Sequence, residues 1–381
     1  YQFKIHRQDG QDIVFNTLVK DSLGKKIMYV INGNNRLLVD SIIYKNDSIR
    51  IELPFYESGF VAKISANGNL TGQWIKRAAE KERRMPFTAT YGERRRYLVS
   101  SPPKNNISGR WEVQFMEDGK PSPSVGEFVQ KGSKLTGTFL TPYGDYRFLE
   151  GVISGDSLYL SGFDGSYALS FKATIRGKNK ITNGQLFSGA AAPQQWSAFR
   201  NRKAQLPDGY SMSHVKPNSG KMNFSFPDMD GNMVSNTDAR FKNKVVVIQI
   251  LGSWCPNCVD ETKFITDNFQ FYKDMGVEFI GLAYERTADY ATSKKALESF
   301  RKRFNPQYPI LIAPVALSDP MMTEKTLPQI DKISAFPSTI FLDKKGNIRK
   351  IHAGFDGPAT GIHYIQFKEE FDALLKDLVN E

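Results

Sequence analysis

Cys255 and Cys258 are the only cysteines in this 381-residue chain, and Pro256 and Asn257 alone separate them. The apolar run Lys244–Leu251 precedes them, so the pair stands where a strand should turn into a helix, the setting of a redox dithiol. At a helix N-terminus, unpaired backbone N–H groups stabilise a thiolate, and a thiol three residues on can reach the mixed disulfide that forms. Cys255 is thus the proposed nucleophile and Cys258 the resolving thiol. Pro256 suits a first helical turn, since it lacks an N–H and fixes φ near the helical value. Two other readings of the spacing are a zinc half-site and a passive bridge. A structural zinc site calls for four ligands, whereas no second CxxC exists and His6, His214, His352 and His363 are scattered. A bridge closing so short a loop constrains the unfolded chain weakly.

The elements that must position this pair follow from periodicity. Val259 to Lys273 carries Val259, Phe264, Ile265, Phe269 and Tyr272 as an apolar stripe and reads as a helix ended by Gly276. Val277–Ala283 reads as the next strand of a βαβ unit, Tyr290–Phe304 as a second helix, and Pro309–Ala313 as a short extended segment. Phe336-Pro337-Ser338-Thr339 leads into Ile340–Leu342, a turn at Asp343–Asn347 and Ile348–Ile351, a hairpin with proline at its start. Gln366–Val379 closes as an amphipathic helix.

With Trp254-Cys-Pro-Asn-Cys258 after a strand and Phe336-Pro-Ser-Thr339 before a hairpin, the C-terminal part resembles the TlpA/ResA-like thiol-disulfide oxidoreductases of the thioredoxin superfamily. The resemblance implies a thioredoxin-like α/β domain with attack by Cys255 and resolution by Cys258. It also implies a cis-proline substrate-binding turn at Phe336-Pro337, with Trp254 shielding the nucleophile and Pro256 and Glu261 supporting the site. For Glu261, a solvated first-turn glutamate is an equally ordinary reading. The long interval between Cys258 and Pro337 implies an insertion that includes Ala288–Thr326. Thr326–Ser334 reads as a connecting loop or short helix, with a place in the groove over the dithiol as the other reading. Met222–Val234 resembles the short opening hairpin of the same family.

The first half has another texture. Short alternating segments, among them Ile27–Val30, Ser48–Leu53, Gly59–Ile64, Leu70–Ile75, Ile107–Phe115, Leu135–Leu140, Tyr146–Leu149, Ser157–Leu160 and Ala168–Phe171, lie between Gly, Asn, Asp and Ser turns. That pattern predicts a β-rich antiparallel barrel or sandwich. Its aromatics are accounted for by core packing, and a spacer role is favoured over a ligand cavity. The expected organisation is a β-rich domain over 1–187, possible subdivision included, a linker over 188–214 and a redox domain over 215–381.

The net charge of +11 includes local clusters at Arg83-Arg84 and Arg94-Arg95-Arg96 beside Phe87, Tyr91 and Tyr97. No nucleic-acid-binding motif accompanies them, so nucleic acid is not expected as a partner. No run is apolar and long enough to span a membrane. From the resemblance, the protein is expected in the periplasm or outward-facing cell envelope after loss of a signal or lipidation segment. It is expected to reduce disulfides in exported proteins and to be recharged by a membrane thiol donor or another thiol reductant, without a cofactor or metal. The competing reading is an interaction or scaffold protein whose redox module is nonessential. Oligomeric state is left open.

Overall fold

Alternation of inward apolar and outward polar residues, repeated strand after strand, determines the first half of the molecule. The computed structural model describes residues 1–78 and 81–381. Two units emerge: Tyr1–Thr141 with Tyr146–Leu206, and Pro142–Asp145 with Pro207–Glu381.

Among the described residues, the first unit holds two antiparallel sheets. One has nine strands, from Gln2–His6 to Lys81–Thr90, and its first strand pairs with its last, Phe3 opposite Ala89. Phe3, Phe15, Phe60 and Phe87 fill its inner face. The other sheet also has nine strands, and eight of them, from Gly109–Glu117 to Gln194–Arg200, form a ring in which the last pairs back to the first with Val113 opposite Ala198. That pairing closes a barrel, which leaves no free edge around the ring. Inward residues Trp111, Phe115, Phe139, Phe171 and Trp196 pack its interior, with Phe139 stacked on Phe171 at 4.7 Å between centroids.

Two expectations change here, and one basic cluster divides in two. Strand Gln194–Arg200 lies within the stretch 188–214 that composition marks as a linker. Trp196 and Ala198 point inward while the residues between them face out, an alternation masked by the neighbouring Ala-Ala-Ala-Pro. Tyr146–Leu149 is not a strand: Arg147 takes φ +56°, and the strand begins only at Leu149. The Arg94–Arg96 cluster is not a uniform charged surface. Arg95 pairs with Glu93 at 2.7 Å, whereas Arg96 is buried and joins the two sheets. Its guanidinium donates to the Ile31 carbonyl on one side and to the Glu150 and Ser161 carbonyls, at 3.1 and 2.9 Å, on the other.

The second unit is an α/β domain around a five-stranded sheet, with spatial order Ile310–Ile312, Val277–Ala283, Val245–Leu251, Ser338–Leu342, Ile348–Ala353. The first three strands are parallel, Ser338–Leu342 runs antiparallel to them, and Ile348–Ala353 runs antiparallel to Ser338–Leu342. Helices α1 (Pro256–Asp274), α2 (Tyr290–Phe304), α3 (Met322–Thr326) and α4 (Ile362–Asn380) complete it. Alternate residues of the central strand enter two cores: Val245 and Val247 meet Phe264, Phe269, Phe371 and Leu375, while Val246, Ile248 and Ile250 meet Phe226, Leu327 and Ile330. Burial on both faces explains why this strand reads as a continuous apolar run. Ser225–Pro227 and Met233–Ser235 form the opening hairpin, Phe226 opposite Val234. The interval 288–326 supplies α2, the strand Ile310–Ile312 and α3. Beyond it, Leu327 and Ile330 are core residues, so 326–334 is a connection that packs against the sheet. Among the described residues, no helix is long and apolar enough to cross a membrane.

Candidate active site

The strand Val245–Leu251 ends at Gly252, and α1 begins at Pro256, which leaves Cys255 as the N-cap with φ −99° and ψ 115°. Cys255 is 3% exposed and Cys258 fully buried, and the two are joined in a disulfide with Cα atoms 5.3 Å apart. The backbone N–H of Cys258 points at Cys255 Sγ from 3.1 Å. That N–H is one of the donors a helix start leaves unpaired, so a thiolate at Cys255 is stabilised when the bridge opens. Pro256 occupies the first helical position, as its ring favours.

Phe336 and Pro337 come to the same place at the start of the neighbouring strand Ser338–Leu342. The bond between them is cis, and the Phe336 carbonyl oxygen lies 3.3 Å from Cys255 Sγ. The Phe336 ring packs against Trp254 at 5.2 Å and Tyr284 at 5.9 Å between centroids. Trp254 is fixed in turn by its Nε1–H, which donates to the Tyr284 carbonyl at 2.9 Å. Trp254, Pro256, Phe336 and Pro337 therefore all lie around the dithiol.

Glu261 departs from the solvated alternative. Placed three residues after Cys258 on α1, it shares that cysteine's helical face, and it is fully buried. Gln249 Nε2 donates to one carboxyl oxygen at 2.8 Å and Thr339 Oγ1 to the other at 2.6 Å. Thr262 Oγ1 completes the chain with a 2.9 Å bond to Gln249 Oε1. Burial pushes the Glu261 carboxyl up to about 7, the two hydrogen bonds opposing the rise. A carboxyl of that kind holds or releases a proton near neutral pH.

Sequence reasoning passed over several neighbours. Glu285, 3% exposed, accepts from the Ser253 backbone N–H at 2.7 Å and from Ser253 Oγ at 2.8 Å, gripping the loop that carries Trp254. Arg286 places its guanidinium 5.6 Å from the Trp254 ring centroid. Asn257, which the sequence left without a role, is buried. With its amide turned to satisfy both ends, it donates to the Asp145 carbonyl at 3.1 Å and accepts from the Asp145 N–H at 2.8 Å. The Asp145 carboxylate accepts from the Gly357 N–H at 3.0 Å, within the glycine-rich loop 354–361. A polar Gln249 inside an otherwise apolar buried strand was the one signal that a partner for Glu261 lay nearby.

Comparison with known proteins agrees with this geometry. The Redoxin family model matches residues 216–362. The thiol-disulfide oxidoreductase ResA of Bacillus subtilis is 22% identical over 140 residues, spanning 37% of this chain and 69% of that protein. ResA of Bacillus thuringiensis is 30% identical over 109 residues, 28% of this chain and 58% of the relative, so this chain spans little more than half of that protein. A solved thioredoxin-family thiol:disulfide interchange protein from Chlorobium tepidum aligns with 44% of this chain and 99% of its own, at 20% identity and a TM-score of 0.33. The C-terminal unit of this chain is a thioredoxin-superfamily domain related to the ResA/TlpA-like thiol-disulfide oxidoreductases, and Cys255–Cys258 is its redox centre.

Proposed function

We propose that the protein reduces disulfides in exported proteins, outside the cytoplasmic membrane, and is recharged there by a membrane thiol donor or another thiol reductant. The observation that carries the reductive direction is the surroundings of the Cys255–Cys258 pair. Pro256 and Asn257 bring no positive charge, and the buried Glu261 follows Cys258 on the same helical face. Strongly oxidising dithiols owe their potential to a stabilised reduced form. A carboxylate following the pair on the same helical face acts in the opposite sense, because its negative charge disfavours a thiolate. The location rests on kinship with the ResA/TlpA-like group.

In the reduced protein, the Cys255 thiolate attacks one sulfur of a substrate disulfide. A mixed disulfide forms, and the substrate's first sulfur leaves as a thiolate that takes a proton from solvent. Cys258 then yields its proton to the Glu261 carboxylate and attacks Cys255 Sγ, which expels the substrate's second sulfur as a thiolate that takes a proton from solvent, while Glu261 gives its own back to solvent. Two electrons and two protons have passed to the substrate, and the protein is left in the disulfide form seen here. The Phe336 carbonyl beside Cys255 offers an acceptor to an extended substrate backbone. No nucleotide or flavin enters these steps.

The test is the equilibrium reduction potential of Cys255–Cys258 in the full chain against defined thiol/disulfide ratios. A value near or below about −270 mV, that of thioredoxin, is expected; a value near about −120 mV would overturn the reductive direction.

A further inference from the structure

Three consecutive residues at the exit of strand Val277–Ala283 hold the loop before the nucleophile, each by a different group. The Tyr284 carbonyl fixes the indole N–H of Trp254, the Glu285 carboxylate takes both donors of Ser253, and Arg286 lies against the indole ring. The first two contacts are inward. The third leaves a charge on the surface: Arg286 is exposed, and among the described residues no carboxylate stands within ion-pair distance of it. Glu285, its neighbour, is turned into the protein and engaged with Ser253. Asp289 caps α2 by accepting from the Thr292 N–H at 2.8 Å and from Thr292 Oγ1 at 2.6 Å.

Resting on the reading of this centre as a protein-disulfide reductase, we propose that Arg286 selects its substrates. The preferred disulfides are those of polypeptides carrying an aspartate or glutamate next to the cysteine that Cys255 attacks. The indole of Trp254 meets both the Arg286 guanidinium and the Phe336 ring, and the Phe336 carbonyl faces Cys255 Sγ. The guanidinium is therefore about one ring removed from the place where a substrate sulfur arrives. Stacking through its face restrains a side chain that would otherwise sweep freely, while its N–H donors at the edge stay available to grip a carboxylate in the bidentate manner open to arginine. A lysine beside the attacked cysteine meets like charge in the same spot, so the selection has a repulsive half as well.

The experiment uses the reduced full-length chain and three synthetic disulfide peptides that differ only in the residue next to the attacked cysteine: Asp, Ser or Lys. The readout is the ratio of kcat/KM values between peptides, which a general loss of activity does not alter. Because the charge is exposed, the Asp peptide is expected to be favoured over the Lys peptide roughly three- to fivefold at low salt, the preference fading at about 0.5 M salt. Arg286→Gln should bring the ratio close to one, and Arg286→Glu should reverse it. A wild-type ratio near one, or a ratio that survives Arg286→Gln, overturns the proposal. If none of the peptides is reduced, the reductase reading falls and the selection falls with it, whereas exchange without charge preference removes only the selection.

Discussion

Arg96 in the first unit and Glu261 in the second are both ionisable side chains taken out of water, and they are satisfied in opposite ways. Arg96 directs its guanidinium at backbone carbonyls of two sheets and at Asn32. Its charge is permanent under any condition in which the protein is folded, so it acts as a fixed rivet. Glu261 has two side-chain donors and no cationic partner among its hydrogen bonds, and burial brings its titration to about 7. The first arrangement fixes one packing of two sheets; the second keeps a group that changes protonation state on the helical face that Cys258 shares. Burial alone therefore does not separate a structural polar group from a working one. What separates them is whether the group can titrate near neutral pH, which a guanidinium cannot and this buried carboxyl can.

The contrast is sharpest where the chemistry stops altogether. Cys255→Ser is expected to abolish peptide-disulfide reduction, a loss of at least about a thousandfold, because the one remaining thiol, Cys258, is fully buried and cannot reach a substrate disulfide. Cys258→Ser should leave the first step intact and accumulate a mixed disulfide, visible as a reductant-sensitive mass increase on intact-protein mass spectrometry. Replacement of the rivet comes next. Arg96→Met leaves three buried carbonyls without their donor and is expected to lower stability by about 3–5 kcal/mol, measured by urea unfolding. The reduction potential of Cys255–Cys258 should not move, and a shift in it would break the division of labour between the two buried charges.

Glu261→Gln has the smallest expected effect and the most informative sign. In the unfolded chain the carboxyl loses its proton near 4.5, and in the folded protein near 7. Between those values the folded state binds the extra proton, so stability falls as pH rises through the window and levels off above it. The total amounts to about 3 kcal/mol at about 1.4 kcal/mol per pKa unit. The glutamine variant should lack this part of the pH dependence, measured by denaturant unfolding at pH 4.5 and 8. It should also slow release of the second substrate thiol near neutral pH, where the carboxylate would take the Cys258 proton. Identical unfolding curves for the two proteins at every pH would show that Glu261 titrates normally.

The sequence made the catalytic end legible because its signals are local. A cysteine pair between a β-type run and an amphipathic stripe, and a proline ahead of a hairpin, depend on few distant contacts, and Val259, Phe264, Ile265, Phe269 and Tyr272 are indeed buried along α1. What was hidden depends on pairing across long separations. Nothing near Arg96 distinguishes it from Arg95, since the difference arises only when two sheets meet around it. Gln194–Arg200 looks like linker because small residues and a proline precede it and one of its two partner strands, Gly109–Glu117, is remote in sequence. Glu261 sits between these cases. Its spacing from Cys258 was visible, but its burial follows from Gln249 and Thr339, which approach it from two separate strands.

The ring closure between Gly109–Glu117 and Gln194–Arg200 also sets an order of events during synthesis. The barrel cannot complete itself until its eighth strand has left the ribosome, so seven strands wait with an open seam on either side. A chain ended just before Gln194 would keep both seams, each a row of unpaired backbone groups that can recruit a neighbouring chain. Seven residues of unremarkable composition thus decide whether about eighty residues before them stay soluble on their own or become a template for aggregation.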